Sequence, residues 1–167
     1  EAHAAAKVLA TRYAATTIID TIVCLDGTNV IGAYLADELL NTGILSANLH
    51  NTAYIISPEQ HSGGQLIFRE NYLSMIKGKH VLVLLATATT GKTLQTALEC
   101  IEYYGGTISG ISAIFSATDE VAGHEVHSLF NKKDIDDYAS YSVDECPMCK
   151  AGKKIEAIVN SYGYSML

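Results

Sequence analysis

The stretch Lys79–Leu94, Lys-His-Val-Leu-Val-Leu-Leu-Ala-Thr-Ala-Thr-Thr-Gly-Lys-Thr-Leu, restricts the fold more than any other part of the chain. Val81 to Leu85 is an unbroken apolar run, the pattern of a strand buried on both faces. It gives way to a small polar segment, Thr87 to Thr93, and from Leu94 the apolar residues Leu94, Ala97, Leu98 and Ile101 recur at helical spacing. Strand, polar loop and helix in that order set Thr hydroxyls and free backbone N–H groups at a helix N-terminus, where the helix dipole favours an anion. A phosphate fits such a loop, and so does an ordinary turn in which Thr90 or Thr93 caps the helix. The four-residue spacer between glycines that marks the common P-loop is absent.

A second unit of the same kind lies upstream. Ile18–Leu25 reads as a strand, Asp26-Gly27-Thr28-Asn29 as a turn, and Val30–Asn41 as a helix with Ile31, Tyr34, Leu35, Leu39 and Leu40 on its apolar side. An Ala-rich amphipathic helix is expected before it, over Glu1–Thr17. Ala53–Ile56 is a short strand within Asn51–Ser57, stopped by Pro58. The central helix runs to about Tyr104, where Gly105-Gly106 breaks it, and Ile108–Phe115 is a further strand. Val126–Phe130 suits a short strand or a turn of helix equally.

Strands alternating with helices predict an α/β fold, a mainly parallel open sheet flanked by helices, with an antiparallel flap between Ser57 and Met75. Turns of such a sheet gather at the carboxyl ends of its strands, so the two polar turns face one site, with Ser116–Glu120 at the same edge. Arg69 and Lys77 are the nearest cations expected to help bind phosphate there.

The run Ala-Thr-Thr-Gly-Lys-Thr-Leu between strand and helix resembles the phosphoribosyl pyrophosphate (PRPP) loop of type I phosphoribosyltransferases, and the flanking segments look most like the orotate phosphoribosyltransferase branch. The resemblance implies that Thr87, Ala88, Thr89, Thr90, Gly91, Lys92 and Thr93 hold the 5-phosphate of PRPP. It implies that Asp26, Gly27, Thr28 and Asn29 hold pyrophosphate, and that His61 in the segment Pro58–Gly64 belongs to a flexible catalytic loop. The Lys of that loop in the family falls near Glu59 here, and the acidic pair that holds the ribose hydroxyls is replaced by Leu85-Ala86.

The implied activity is transfer of ribose 5-phosphate from PRPP, with magnesium, to a pyrimidine-type, orotate-like base, releasing pyrophosphate. A homodimer in the cytoplasm is the implied setting. The apolar pair admits a second reading, a catalytically silent PRPP- or nucleotide-binding regulatory protein.

The 167 residues suit a single domain spanning 1–167. The chain opens at Glu1 with neither an initiator Met nor a signal pattern, so part of an N-terminal segment is expected to be missing. A net charge of -7 argues against broad nucleic-acid binding, and no apolar run approaches a bilayer span.

Near the C-terminus stands Cys146-Pro147-Met148-Cys149-Lys150-Ala151-Gly152, and a similar Cys-Pro-x-Cys-x-x-Gly run occurs in many orotate phosphoribosyltransferase-like sequences. Cys146 and Cys149 have the spacing of two zinc ligands, which His124, His127 or a partner subunit would have to complete. A structural role without metal is the leading expectation, and a redox role ranks below it because no thioredoxin-like strand leads into a helix here. Cys24 and Cys100 are expected to pack as small hydrophobes, and four cysteines in this arrangement suit a reducing compartment. Ile155–Leu167, with Tyr162 and Tyr164, reads as a strand or short helix that closes the sheet or a dimer contact.

Overall fold

The computed structural model describes residues 1–13, 16–41, 48, 52–61, 63–142, 144–160 and 163–167. The expectations for Ala14, Ala15, Asn51, Ser62 and Tyr162 lie outside the described residues. In chain order the elements are α1 (Ala2–Ala10), β1 (Thr21–Cys24), α2 (Asn29–Asn41), β2 (Tyr54–Ile56), β3 (Glu59–Gln60) and β4 (Leu66–Ile67). A 3-10 helix, Glu70–Met75, leads to β5 (His80–Ala88), α3 (Lys92–Tyr103), β6 (Thr107–Ser116), β7 (Glu120–Val121) and β8 (His124–Asn131). A second 3-10 turn, Lys132–Asp134, precedes α4 (Pro147–Lys150) and the hairpin strands β9 (Ala157–Asn160) and β10 (Gly163–Met166).

The main sheet has the order β2-β1-β5-β6-β8-β7, parallel throughout except for the edge pair of β7 and β8. The predicted α/β architecture is therefore present, with β5 at its middle. Val81, Val83 and Leu85 enter a core with Leu94, Ala97, Leu98 and Ile101 of α3. Leu82 and Leu84 enter another, with Ala6, Leu9 and Ala10 of α1 and Leu35, Ala36 and Leu39 of α2. An apolar strand with no polar face is thus the natural product of helices covering both sides.

Several boundaries differ from the sequence reading. The first helix stops at Ala10 rather than Thr17. There Tyr13 turns inward, lying 2.9 Å from the Ile111 carbonyl, to which its hydroxyl donates, and 2.9 Å from Ser112 Oγ. Burial pushes the Tyr13 phenol up to about 12. The first strand is Thr21–Cys24, shorter than Ile18–Leu25, and just before it the Asp20 carboxylate accepts the His80 N–H at 2.8 Å. Val126–Phe130 belongs to a strand, paired with β6 from Ile111↔Val126 to Ser116↔Asn131. The antiparallel flap is present as the short pair β3–β4. The C-terminal hairpin does not close the main sheet, because β9 and β10 pair only with each other among the described residues.

The placement of α2 depends on one close approach. A Cβ built on Gly32 would lie 2.5 Å from Cys24 Sγ, so only glycine lets this helix sit against β1. Cys24 is 1% exposed and cannot move aside freely. Gly32→Ala is expected to cost about 1–3 kcal/mol from overpacking, and Cys24→Ala in the same chain should recover much of that loss. Urea unfolding of the four chains of this cycle checks both the cost and its sign.

Candidate functional site at the strand ends

The loop after β5 is tighter than the sequence suggested. Thr87 and Ala88 continue the strand, pairing with Phe115 and Ser116 of β6, and so lie outside the turn. The turn is Thr89-Thr90-Gly91, and α3 begins at Lys92. Gly91 is the N-cap with φ +74°, and no side chain caps the helix. Neither Thr90 nor Thr93 plays the capping role that was open to it. Thr89, Thr90, Lys92 and Thr93 are exposed, which leaves three hydroxyls, one ammonium and the first N–H groups of α3 open to a ligand.

Gly91 itself is buried, and a Cβ there would meet Val121 Cγ2 at 2.8 Å. The side-chain direction of Gly91 is therefore filled by Val121 of β7 rather than open for an anion. Its glycine is needed for the positive φ and for this contact.

The turn after β1 is built by two consecutive left-handed residues, Asp26 at φ 54° and Gly27 at φ 75°. Thr28 is buried, with Oγ1 2.8 Å from the Leu25 carbonyl and 3.1 Å from the Leu84 carbonyl. Its hydroxyl thus ties the turn to β5, and its backbone N–H donates to the Leu25 carbonyl at 3.1 Å. Asn29 Nδ2 donates to Ser57 Oγ at 2.9 Å, joining this turn to the end of β2.

Asp26, Gly27, Asn29 and Thr93 line one cleft of about 500 Å³, together with Cys24, Leu25, Ser57, Pro58, Gln60 and Leu66. The first of the two turns supplies Asp26, Gly27 and Asn29 to the cleft, and the second segment supplies Thr93 from the first turn of α3, while Thr89, Thr90, Gly91 and Lys92 are not among the lining residues. Pro58 and Gln60 come from the segment expected to form the loop, whereas Ser57 and Leu66 carry no signal of their own in the sequence beyond the stop at Pro58. Burial pushes the Cys24 thiol at the floor of the cleft up to about 11, so it stays protonated and acts as packing. Asp26 is the one carboxylate among the described lining residues and the group there able to hold a divalent cation. Leu85 is 1% exposed within the core and lines no part of the cleft, while Ala86 is half-buried.

His61 is exposed beyond β3 and is not among the cleft-lining residues. Its N–H donates to the Gln65 carbonyl at 2.9 Å, closing the hairpin. Arg69 is committed elsewhere: Nε donates to Glu59 Oε1 at 2.7 Å and a terminal nitrogen to Oε2 at 2.6 Å. This hydrogen-bonded pairing holds the Glu59 carboxyl below the usual range and raises Arg69. The cation expected to help bind phosphate is therefore already neutralised.

Cys146 and Cys149 lie outside the cleft, with Met148, Lys153, Lys154, Ile155 and Glu156 around them. Among the described residues no three His, Cys, Asp or Glu side chains gather to hold a metal, so neither His124 nor His127 completes a zinc site. His127 instead stacks edge-on against Tyr13, with ring centroids 5.8 Å apart. Cys24 and Cys100 are free, and the Cys100 thiol reaches the Leu66 carbonyl at 3.3 Å.

With this geometry in hand, known proteins supply the comparison. No family model matches the chain. A curated orotate phosphoribosyltransferase from Chlorobium phaeobacteroides is 27% identical over 100 residues, 59% of this chain and 49% of that protein. The chain thus spans about half the length of the curated relative it matches. A hypoxanthine phosphoribosyltransferase from Staphylococcus aureus superimposes with a TM-score of 0.56 at 15% identity, covering 83% of this chain and 75% of that one. The orotate phosphoribosyltransferase of Mycobacterium tuberculosis gives 0.51 at 17% identity, covering 79% and 74%. The chain has the type I phosphoribosyltransferase fold. Solved neighbours of that fold include purine as well as orotate enzymes, and no helix among the described residues is long and apolar enough to cross a membrane.

Gly91→Ala is expected to destabilise the chain by about 1–3 kcal/mol. Val121→Ala added to it should relieve the contact but not the backbone strain, so only part of the loss returns. Thermal and urea unfolding of the two chains measure that division.

Proposed function

We propose that the chain binds PRPP in this cleft and transfers its ribose 5-phosphate to a pyrimidine-type, orotate-like base with release of pyrophosphate. The observation that carries the proposal is the meeting of Asp26, Gly27 and Asn29 with Thr93 around one cleft. In this reading Thr89, Thr90, Lys92 and Thr93 hold the 5-phosphate with their hydroxyls, ammonium and helix N–H groups. The Asp26–Asn29 turn faces pyrophosphate, and Asp26 would hold the magnesium that accompanies PRPP and offsets its charge. The His61 hairpin would close over the leaving group. Holding phosphate, ribose and leaving group in one geometry and excluding water is what a ribosyl cation-like transition state requires. The pyrimidine preference is supported by the curated match to an orotate enzyme.

A second reading is favoured by Leu85 and Ala86: a protein that keeps the phosphate site but does not turn over. Leu85 sits in the core and Arg69 is tied to Glu59, so neither a ribose-holding acid nor a free flap cation is offered at these positions. The two readings share the ligand and differ in turnover.

Calorimetric titration of PRPP with magnesium, followed by orotate and a pyrophosphate-release assay, separates them. Saturable binding is expected, weakened about fivefold by Thr93→Val through loss of one hydrogen bond, and release of pyrophosphate marks the transferase. Absence of binding would reject both. Ala86→Asp, at a half-buried position, should raise magnesium-dependent affinity, whereas Leu85→Asp would bury a carboxylate and unfold the chain.

A further inference from the structure

The Cys146–Gly152 run is a complete miniature helix with both ends specified. Pro147 occupies the first turn of α4, where its missing N–H costs nothing. Gly152, at φ +67°, ends it: its N–H donates to the Cys149 carbonyl and the Lys153 N–H to the Met148 carbonyl, each at 3.0 Å. These two bonds and the left-handed glycine are a Schellman stop. The Cys-Pro-x-Cys-x-x-Gly spacing is therefore explained as a single turn bounded by proline and glycine. Cys146 is the N-cap of this turn, and in line with the sequence reading no strand leads directly into it, since β8 ends at Asn131.

This turn fixes the two thiols relative to each other. Residues three apart in a helical turn have Cα atoms about 5 Å apart, inside the roughly 4.4–6.8 Å that a disulfide spans. The Schellman stop turns the chain so that Lys153, Lys154, Ile155 and Glu156 line one hollow of about 790 Å³ with Cys146, Met148 and Cys149, two ammonium groups against one carboxylate. Both cysteines are free, Cys146 half-buried and Cys149 exposed.

We propose that Cys146 and Cys149 form a reversible dithiol–disulfide site whose reaction partner is a low-molecular-weight disulfide bearing carboxylates, drawn to Lys153 and Lys154. Cys146, as thiolate, attacks one sulfur of the partner, forming a mixed disulfide and expelling one thiolate. Cys149 loses its proton and attacks Cys146 Sγ, forming the intramolecular bond and expelling the second thiolate. The two expelled thiolates take up the two protons that the cysteines gave up, and two electrons pass from the dithiol to the partner. The order follows the surroundings of the two thiols: the neighbouring Cys149 backbone and thiol, with Lys150 beyond them, hold the Cys146 thiol below its usual range, while Cys146 beside it raises Cys149. Cys24, buried with its thiol pushed up to about 11, is an internal control that should not react.

The test equilibrates the full chain in buffers of reduced and oxidised glutathione and reads intact mass and cysteine-containing peptides. The expected product has lost two hydrogens and carries a Cys146–Cys149 bond. Cys149→Ser should instead accumulate glutathione on Cys146, and Cys146→Ser should slow modification of Cys149 by about tenfold or more. Lys153→Gln with Lys154→Gln should slow reaction with oxidised glutathione about threefold and leave reaction with the neutral bis(2-hydroxyethyl) disulfide unchanged. The dithiol assignment is overturned by two glutathiones on one chain with no internal bond. Zinc bound at one ion per two chains, with four thiols protected from oxidation, overturns it as well. Equal rates for the lysine variants with both disulfides would remove the anionic partner.

Discussion

Everything in this molecule depends on burying β5 on both sides. Val81 to Leu85 are each 1% exposed or less, and alternate residues serve different cores. Burying each of these side chains is worth roughly 1.5–3 kcal/mol, so neither covering layer can be removed. A strand so enclosed has no polar face on which to carry a ligand. Polar groups can gather only where it emerges, and the turn at Thr89-Thr90-Gly91 stands at that point.

The second turn is bound to the same strand. Thr28 shares its hydroxyl proton between the Leu25 and Leu84 carbonyls, which joins the end of β1 to β5 below the cleft. Asn29 reaches across to Ser57, and Gly32 lets α2 approach Cys24. The cleft is thus held open between elements whose backbones are fixed from beneath, while Thr93 and Asp26 stay exposed to what enters it. On the flap, Glu59 takes up Arg69, while Lys92, next to the Thr89-Thr90-Gly91 turn, stays exposed.

The parts of the fold legible in the sequence were those where one period dominates. The apolar run of β5 and the helical spacing of Leu94, Ala97, Leu98 and Ile101 gave correct elements because burial on those faces leaves no competing pattern. Ala86-Thr87-Ala88 extends β5 despite its two alanines, since pairing with Ala117 and β6 outweighs local propensity there. Thr28 could not be told from Thr93 by its side chain: one is buried against two carbonyls and the other exposed, a difference that only tertiary contacts create. Val126–Phe130 alternates too weakly to choose between helix and strand, and its neighbour β6 decides. The Pro147 and Gly152 signals, by contrast, spelled out a helical turn that was read only for its cysteines.

The central claim is that the two turns form one PRPP site, and amide chemical-shift mapping of the labelled full chain with PRPP and magnesium tests it most directly. The account predicts the largest shifts at Thr89–Leu94 and Asp26–Asn29, with Cys146–Glu156 unmoved. Shifts confined to other parts of the chain, or none at saturating ligand, would contradict it.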